Sequence, residues 1–274
     1  MDLQGKKVLL TGASRGIGAA LAVGLAQEGA ELVLVARDEE GLSQTALSVR
    51  AGGGIAHVLP ADLATREGRA RLVEAAGPVD VLVNNAGIEV PIAVIDQTDL
   101  DVERQIEVNL VAPIALTRAF VPGMIERGGG AVVMISSMSG KSPTPYNGIY
   151  SATKFGLNGF AQTLRIELDG TGVHVGTVCP SFVASAGMWA DWGVKAPGLL
   201  REVPLEAVVK ATKRAIQGAP EVLVTPSPMR PFLALAQLFP RLDAVMLRAL
   251  GVTSALEKRA AEVVRRRTST SSSI

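Results

Sequence analysis

The run Lys6-Lys7-Val8-Leu9-Leu10 leads directly into Thr11-Gly12-Ala13-Ser14-Arg15-Gly16-Ile17-Gly18. An apolar pattern with helical spacing, Ala19-Ala20-Leu21-Ala22-Val23-Gly24-Leu25-Ala26, follows at once. A strand, a glycine-rich turn and a helix in that order leave few folds open. Glycines let the backbone approach a pyrophosphate, whose charge is favoured at a helix N-terminus. The spacing here is Gly-x-x-x-Gly-x-Gly rather than the commoner Gly-x-Gly-x-x-Gly, and its place between strand and helix supports a dinucleotide loop over a plain tight turn.

The next apolar run, Glu31-Leu32-Val33-Leu34-Val35-Ala36, is followed by Arg37-Asp38. In a dinucleotide fold an acid at this strand end binds the ribose 2′-hydroxyl, whereas an Arg accommodates a 2′-phosphate. Arg37 occupies the place and Arg15 lies in the preceding loop. Two guanidiniums suit a phosphate, so NADP(H) is expected over NAD(H). Asp38 dissents; it either faces solvent or caps the following helix.

Strand and helix patterns alternate from residue 6 to about 225. This predicts an α/β fold: one doubly wound parallel sheet of about seven strands flanked by helices, in a single domain over residues 1–225. Val132-Val133-Met134-Ile135 and Val173-His174-Val175-Gly176-Thr177-Val178 read as buried strands. The net charge of +1 gives no reason to expect nucleic acid. A single cysteine, Cys179, excludes an internal disulfide and fits a reducing compartment as a packed thiol. His57 and His174 have no metal spacing, and no metal is expected.

Tyr150 and Lys154 stand four residues apart, with Ser137 thirteen residues before the tyrosine. On a helix, i and i+4 share a face. A phenol beside an ammonium is expected to have its pKa lowered and to serve as acid or base near neutral pH.

Together these residues resemble the short-chain dehydrogenase/reductase (SDR) family. The match runs in order through Thr11 to Gly18, Asp62-Leu63, Asn84-Asn85-Ala86-Gly87, Asn109, Ser136-Ser137, Tyr150-Ser151-Ala152-Thr153-Lys154 and Pro180, across roughly residues 5–225. The resemblance implies that Tyr150 exchanges a proton with the substrate oxygen and that Ser137 holds that oxygen. Lys154 would lower the tyrosine pKa and bind the nicotinamide ribose, and Asn109 would bind a water continuing the proton path. Cofactor contacts are implied for Gly12, Ser14, Arg15, Gly16, Ile17, Gly18, Arg37, Asp62, Leu63, Asn85, Ala86, Gly87, Tyr150 and Lys154. The segment Pro180, Ser181, Val183 and Ser185 would complete them. Asp62 has a second reading as a helix cap. One departure stands out: Ser181 replaces the glycine that often follows the proline, which leaves the course of the next loop open.

Residues 181–203 hold both tryptophans of a chain with 4% aromatics. Phe182, Met188, Trp189 and Trp192 are expected to form an apolar lid over the substrate, with Ser139 and Asn147 on the opposite wall. Beyond Thr225, residues 226–267 read as an apolar helical C-terminal extension and 268–274 as a disordered tail. The extension either packs on its own or a neighbouring subunit, lies in a membrane interface, or lengthens the substrate entrance. Met1-Asp2-Leu3-Gln4 shows no signal-peptide pattern. A cytoplasmic location is expected, with membrane association through the extension as the variant of it. The resemblance also implies a homodimer or homotetramer.

The expected function is an NADP(H)-dependent oxidoreductase interconverting a carbonyl and a secondary alcohol on a hydrophobic, lipid-, steroid- or ketone-like substrate. The alternative is a non-catalytic dinucleotide-binding scaffold or sensor with the same fold.

Overall fold

The computed structural model describes residues 1–184, 201–227, 229–249 and 251–271. Seven strands form one sheet: β1 (Lys7–Thr11), β2 (Glu31–Ala36), β3 (Ile55–Pro60), β4 (Val81–Asn84), β5 (Gly130–Ile135), β6 (Val173–Pro180) and β7 (Glu221–Val224). Their order is β3-β2-β1-β4-β5-β6-β7, and every pairing is parallel. This is the doubly wound sheet that the alternation predicts.

Strand residues alternate between two apolar layers. Val8, Leu10, Leu32 and Leu34 pack with Leu21 and Leu25 of α1 (Gly16–Ala26), Leu42 of α2 (Glu39–Ala51) and Val208 of α7 (Leu205–Ile216). Leu9, Val33 and Val35 face the other way. They meet Leu72 of α3 (Arg66–Ala76), Leu116 and Phe120 of α5 (Ala112–Glu126) and Leu157 of α6 (Gly148–Glu167). Burial on both faces explains why these strands are continuous apolar runs. The stretch Asp99–Glu126 is long and apolar enough to cross a membrane, but Leu116, Phe120 and Met124 within it are core residues of the domain.

Strand order reverses between β1 and β4, so the loops after these strands diverge and leave a crevice at their carboxyl ends. The glycine loop, Asn85, Ser137, Tyr150 and Lys154 lie along this edge or on the helices bordering it.

The C-terminal extension is helical: α8 (Arg230–Leu238), α9 (Pro240–Ala249) and α10 (Val252–Ser271). α10 continues through residues 268–271, which composition assigns to an irregular tail. The extension packs on its own chain: Val252 and Leu256 are buried against Tyr146, Phe182 and Leu247. Arg267 adds a two-pronged ion pair to Asp101 of α4 (Asp99–Ile106), with both N···O distances 2.9 Å.

Candidate active site

The glycine loop is shaped by contacts that exclude side chains. Gly12 and Gly16 take left-handed φ angles of 67° and 61°, which favour glycine. A Cβ on Gly12 would lie 2.8 Å from the Ala86 Cα, and one on Gly18 would run into the Gly12 carbonyl oxygen. α1 therefore starts tight against β1. Arg15 occupies its N-cap without a side-chain cap, and no acid sits in the first turn. The first-turn N–H groups and the positive end of the helix dipole face the crevice.

Asn85 ties this loop to the neighbouring strand. Its side chain donates to the Thr11 and Gly12 carbonyls at 2.9 and 3.1 Å. Thr11 Oγ1 in turn accepts from the Asn85 and Ala86 N–H groups at 2.9 and 3.0 Å. Thr11 is thus a structural clamp. Ser14 and Ile17 lie in the same turn and first helical turn, half-buried.

Arg37, at the end of β2, and Arg15 are both exposed. Asp38 resolves as the cap of α2, accepting from Gly41 N–H at 3.1 Å. Arg37 shares a hollow with Asp62 and with Arg71 of α3, a third cation that no sequence motif marks. The cap reading of Asp62 does not hold. Thr65 caps α3, accepting from Gly68 N–H at 3.0 Å, while Asp62 accepts from Ala64 N–H in a local turn. The Leu63 side chain is in the core, so only its backbone could reach a ligand.

Tyr150 and Lys154 share one face of α6, and both are buried. The Lys154 ammonium donates to the Ile135 carbonyl at 2.9 Å. The Ser137 hydroxyl accepts from Ser139 N–H at 3.0 Å and lies near enough to the Tyr150 phenol to ease its ionisation. The expected electrostatics needs correction. Burial, helped by the negative charge of Glu89, pushes the Tyr150 phenol above its ordinary value, and Ser137 only partly opposes this. Burial also lowers Lys154 to about 8. Desolvation penalises both charged forms and outweighs their mutual attraction.

Asn109 also differs from expectation. It is fully buried in a π-helical turn, Glu107–Val111. Its side chain is fully engaged: Oδ1 accepts from Ile88 N–H at 2.8 Å, and Nδ2 donates to Ile88 O at 2.8 Å and Thr153 Oγ1 at 3.2 Å. What Asn109 can offer a water is its main-chain carbonyl, at a turn where π winding interrupts the regular ladder. Gly87 keeps the space beside it open: a Cβ there would lie 3.4 Å from Asn109 Oδ1 and 3.7 Å from Lys154 Nζ.

Above the phenol is a cavity of about 230 Å³ lined mainly by apolar groups. Ser139, Asn147 and Phe182, expected at the substrate pocket, line it, and so do Pro180, Ser181 and Val183, for which the resemblance implies cofactor contacts. Ser181 needs no glycine-like conformation, since Tyr146 is the one non-glycine residue with positive φ among those described. The Ser181 N–H instead donates to Val224 O at 2.9 Å, and Val183 pairs with Val203. Ser185, Met188, Trp189 and Trp192 lie outside the described residues.

The extension supplies a further part of the cavity wall. Leu233 of α8, Leu247 of α9 and Leu256 and Arg259 of α10 line it from the extension. Arg259, 2% exposed, pairs with Glu89. As one of several cations in a charged stretch, it reads in sequence as solvated. Cys179 is packed at the end of β6, its thiol pushed up to about 12 by burial. No metal-binding cluster occurs among the described residues.

The family described as short chain dehydrogenase matches residues 6–195. Ketoacyl reductase HetN of Nostoc sp. (strain PCC 7120) is 40% identical over 268 residues, covering 94% of this chain and 93% of its own. That alignment reaches into the C-terminal helices. A metagenomic short-chain oxidoreductase solved with NADP is 34% identical, with a TM-score of 0.71 over 83% of this chain and 99% of that one. A short-chain dehydrogenase from Sphingobium yanoikuyae, solved with NADPH, is 30% identical, with a TM-score of 0.76 over 86% of this chain and 94% of that one. With its sheet order, glycine loop and Ser137-Tyr150-Lys154 group in place, the chain belongs to the short-chain dehydrogenase/reductase family.

Proposed function

We propose that this protein reduces a hydrophobic ketone, of the ketoacyl or a similar lipid-like class, to a secondary alcohol with NADPH. One observation carries the reading: the buried Tyr150 phenol, with Ser137 and Lys154 beside it, lines an apolar cavity next to the glycine-loop crevice. The names of HetN and of the NADP-bound neighbours support the substrate and cofactor classes.

The residues present fit a dinucleotide phosphate. The spaces at Gly12 and Gly18 that a Cβ would fill, and the uncapped start of α1, suit a pyrophosphate. Arg15 and Arg37 suit a 2′-phosphate. When bound, the cofactor supplies the hydride. Asp62 and Leu63 would border its adenine, and Asn85, Ala86 and Gly87 its adenosine side. Lys154 would hold the nicotinamide ribose, and Pro180 to Ser185 would flank the amide.

Ser137 and Tyr150 donate to the substrate oxygen as negative charge develops there. At neutral pH Tyr150 carries its proton, the form that donates to a carbonyl oxygen. Lys154, charged below about pH 8, stabilises the phenolate left after transfer. Asn109 would relay a proton through a water on its carbonyl.

NADPH consumption at 340 nm with a panel of hydrophobic ketones and medium-chain 3-oxoacyl thioesters tests the reading. Turnover that disappears in Tyr150→Phe supports it. NADPH binding with no turnover of any member favours the scaffold alternative.

A cytoplasmic location and assembly as a homodimer or homotetramer are part of the proposal. The outer side of α8 and α9 favours a membrane contact as well: Leu238 and Val245, 73% and 61% exposed, lie on the helices that supply Leu233 and Leu247 to the cavity, and Phe239, 60% exposed, joins them. Co-sedimentation with anionic vesicles, lost on replacing Leu238 and Phe239 with Ser, is the expected result.

A further inference from the structure

Glu89 lies five residues beyond β4, outside the motifs that carry the family resemblance. Its side chain is 7% exposed. One carboxylate oxygen accepts from Asn147 Nδ2 at 2.9 Å; the other pairs with Arg259 of α10. Asn147 occupies the N-cap position of α6 without a side-chain capping bond, three residues before Tyr150, and is itself 2% exposed. Its Oδ1 is buried without a hydrogen-bond partner, so the bond to Glu89 is the one that fixes this amide. A single buried carboxylate therefore touches two helices: the one that carries the phenol and the one that closes the cavity.

We propose that Glu89 is a positioning residue, joining the start of the Tyr150 helix, through Asn147, to the C-terminal helix, through Arg259. Docking of that helix thereby sets the place and the electrostatic surroundings of the phenol. The inference rests on the reading of Tyr150 as proton donor and deepens it, because it makes the extension part of the catalytic machinery rather than an appendage.

The charges facing Tyr150 can be named element by element. Lys154 lies on α6 itself, Glu89 comes from the segment after β4, Arg259 from α10 and the Cys179 thiol from β6, while Ser137 stands after β5. Glu89 holds the phenolic proton more tightly and Arg259 loosens it. Glu89 acts on Lys154 in the same sense. The two act in opposite senses, and removing either member leaves an unbalanced charge in a site with little water to screen it. A merely structural fastening would make the two removals equivalent. An electrostatic one makes them opposite.

The test uses the full chain with NADPH and a 3-oxodecanoyl N-acetylcysteamine thioester, comparing Glu89→Gln, Arg259→Met and Arg259→Lys. The descending alkaline limb of kcat/KM should move to lower pH in Glu89→Gln and to higher pH in Arg259→Met, each by roughly half a unit or more. Arg259→Lys, which keeps the charge, should return toward wild type. A second readout needs no turnover. The chain has two tyrosines, so the 13C resonance of the Tyr150 Cζ can be assigned against Tyr146→Phe and titrated in the same variants. Opposite displacements in both readouts support the inference. Displacements of one sign, or none, overturn it and leave Glu89 and Arg259 as a fastening alone. Turnover retained in Tyr150→Phe would sink the proton-donor reading, and the resonance titration would still decide whether Glu89 and Arg259 act on the phenol.

Discussion

The Lys154 ammonium lies 5.5 Å from the centre of the Tyr150 ring, on the same buried helix face, while its hydrogen bond goes to the Ile135 carbonyl at 2.9 Å rather than to the phenol. The lysine therefore acts on the tyrosine through charge and through its grip on the end of β5. Because burial lowers Lys154 to about 8, it loses its charge as pH rises through that value. Ketone reduction should fall over the same range, with kcat/KM reporting the free enzyme. Lys154→Met should lower kcat by about 100-fold or more and abolish that limb. A pH–rate profile of the two proteins checks both statements.

Replacing Arg15 and Arg37 together with Ala should weaken NADPH binding by about 10- to 100-fold while changing NADH binding little, since charge-assisted contacts to phosphate are worth roughly 1.5–3 kcal/mol. Fluorescence titration with each dinucleotide provides the comparison. Equal losses would remove the basis for the cofactor preference. Arg71, which shares the hollow with Arg37, should contribute to any NADPH affinity left in the double variant.

Gly12→Ala combines a left-handed φ of 67° with a Cβ placed 2.8 Å from the Ala86 Cα. Both penalties act where the loop must lie close to the neighbouring strand. Strain of about 1–3 kcal/mol, together with a displaced loop, should reduce dinucleotide affinity at least tenfold, measured by the same titration. Gly5→Ala is the control: it carries the backbone strain, with a φ of 66°, but meets no atom within 4 Å of the added Cβ. It should lower stability and leave affinity unchanged.

The hold of Arg267 on Asp101 makes the docking of α10 sensitive to acid. The Arg267 hydrogen bond is the main cause that pulls the Asp101 carboxyl down to about 2. A depressed carboxyl stabilises the fold above its unfolded value, about 4, and loses that contribution as pH falls toward 2. The difference in Tm between wild type and Arg267→Met should be about 1–3 °C near pH 6, the pair being partly exposed. It should shrink toward zero between pH 4 and 2. A difference independent of pH would mean that Arg267 acts by packing.

The doubly wound core was legible because strands buried on both faces must be continuous apolar runs, and Val8 to Leu10 and Leu32 to Val35 are. Gly12, Gly16 and Gly18 were legible because close backbone approach admits few other residues. Tyr150, Lys154 and Ser137 meet as their spacing and the family resemblance imply. The sign of the Tyr150 shift was not readable, because it depends on how much water the fold removes from both charges and on Glu89, whose position no local pattern reveals. Nor could Arg259 be read as a wall of the cavity. A cation in a charged helix is usually solvated, and only the return of α10 over the crevice buries this one. Asn109 was correctly placed beside Lys154, but the engagement of its amide by Ile88 and Thr153 arises from contacts distant in sequence.

The most direct test of the account is the rate of NADPH consumption by Tyr150→Phe with a medium-chain 3-oxoacyl thioester, measured alongside NADPH affinity in the same preparation. Loss of one phenolic hydroxyl should lower kcat by about 10²–10⁴-fold with the dissociation constant of NADPH within about threefold of wild type, roughly 0.7 kcal/mol. Turnover within tenfold of wild type, with the cofactor bound, would contradict the assignment of Tyr150 as the proton donor.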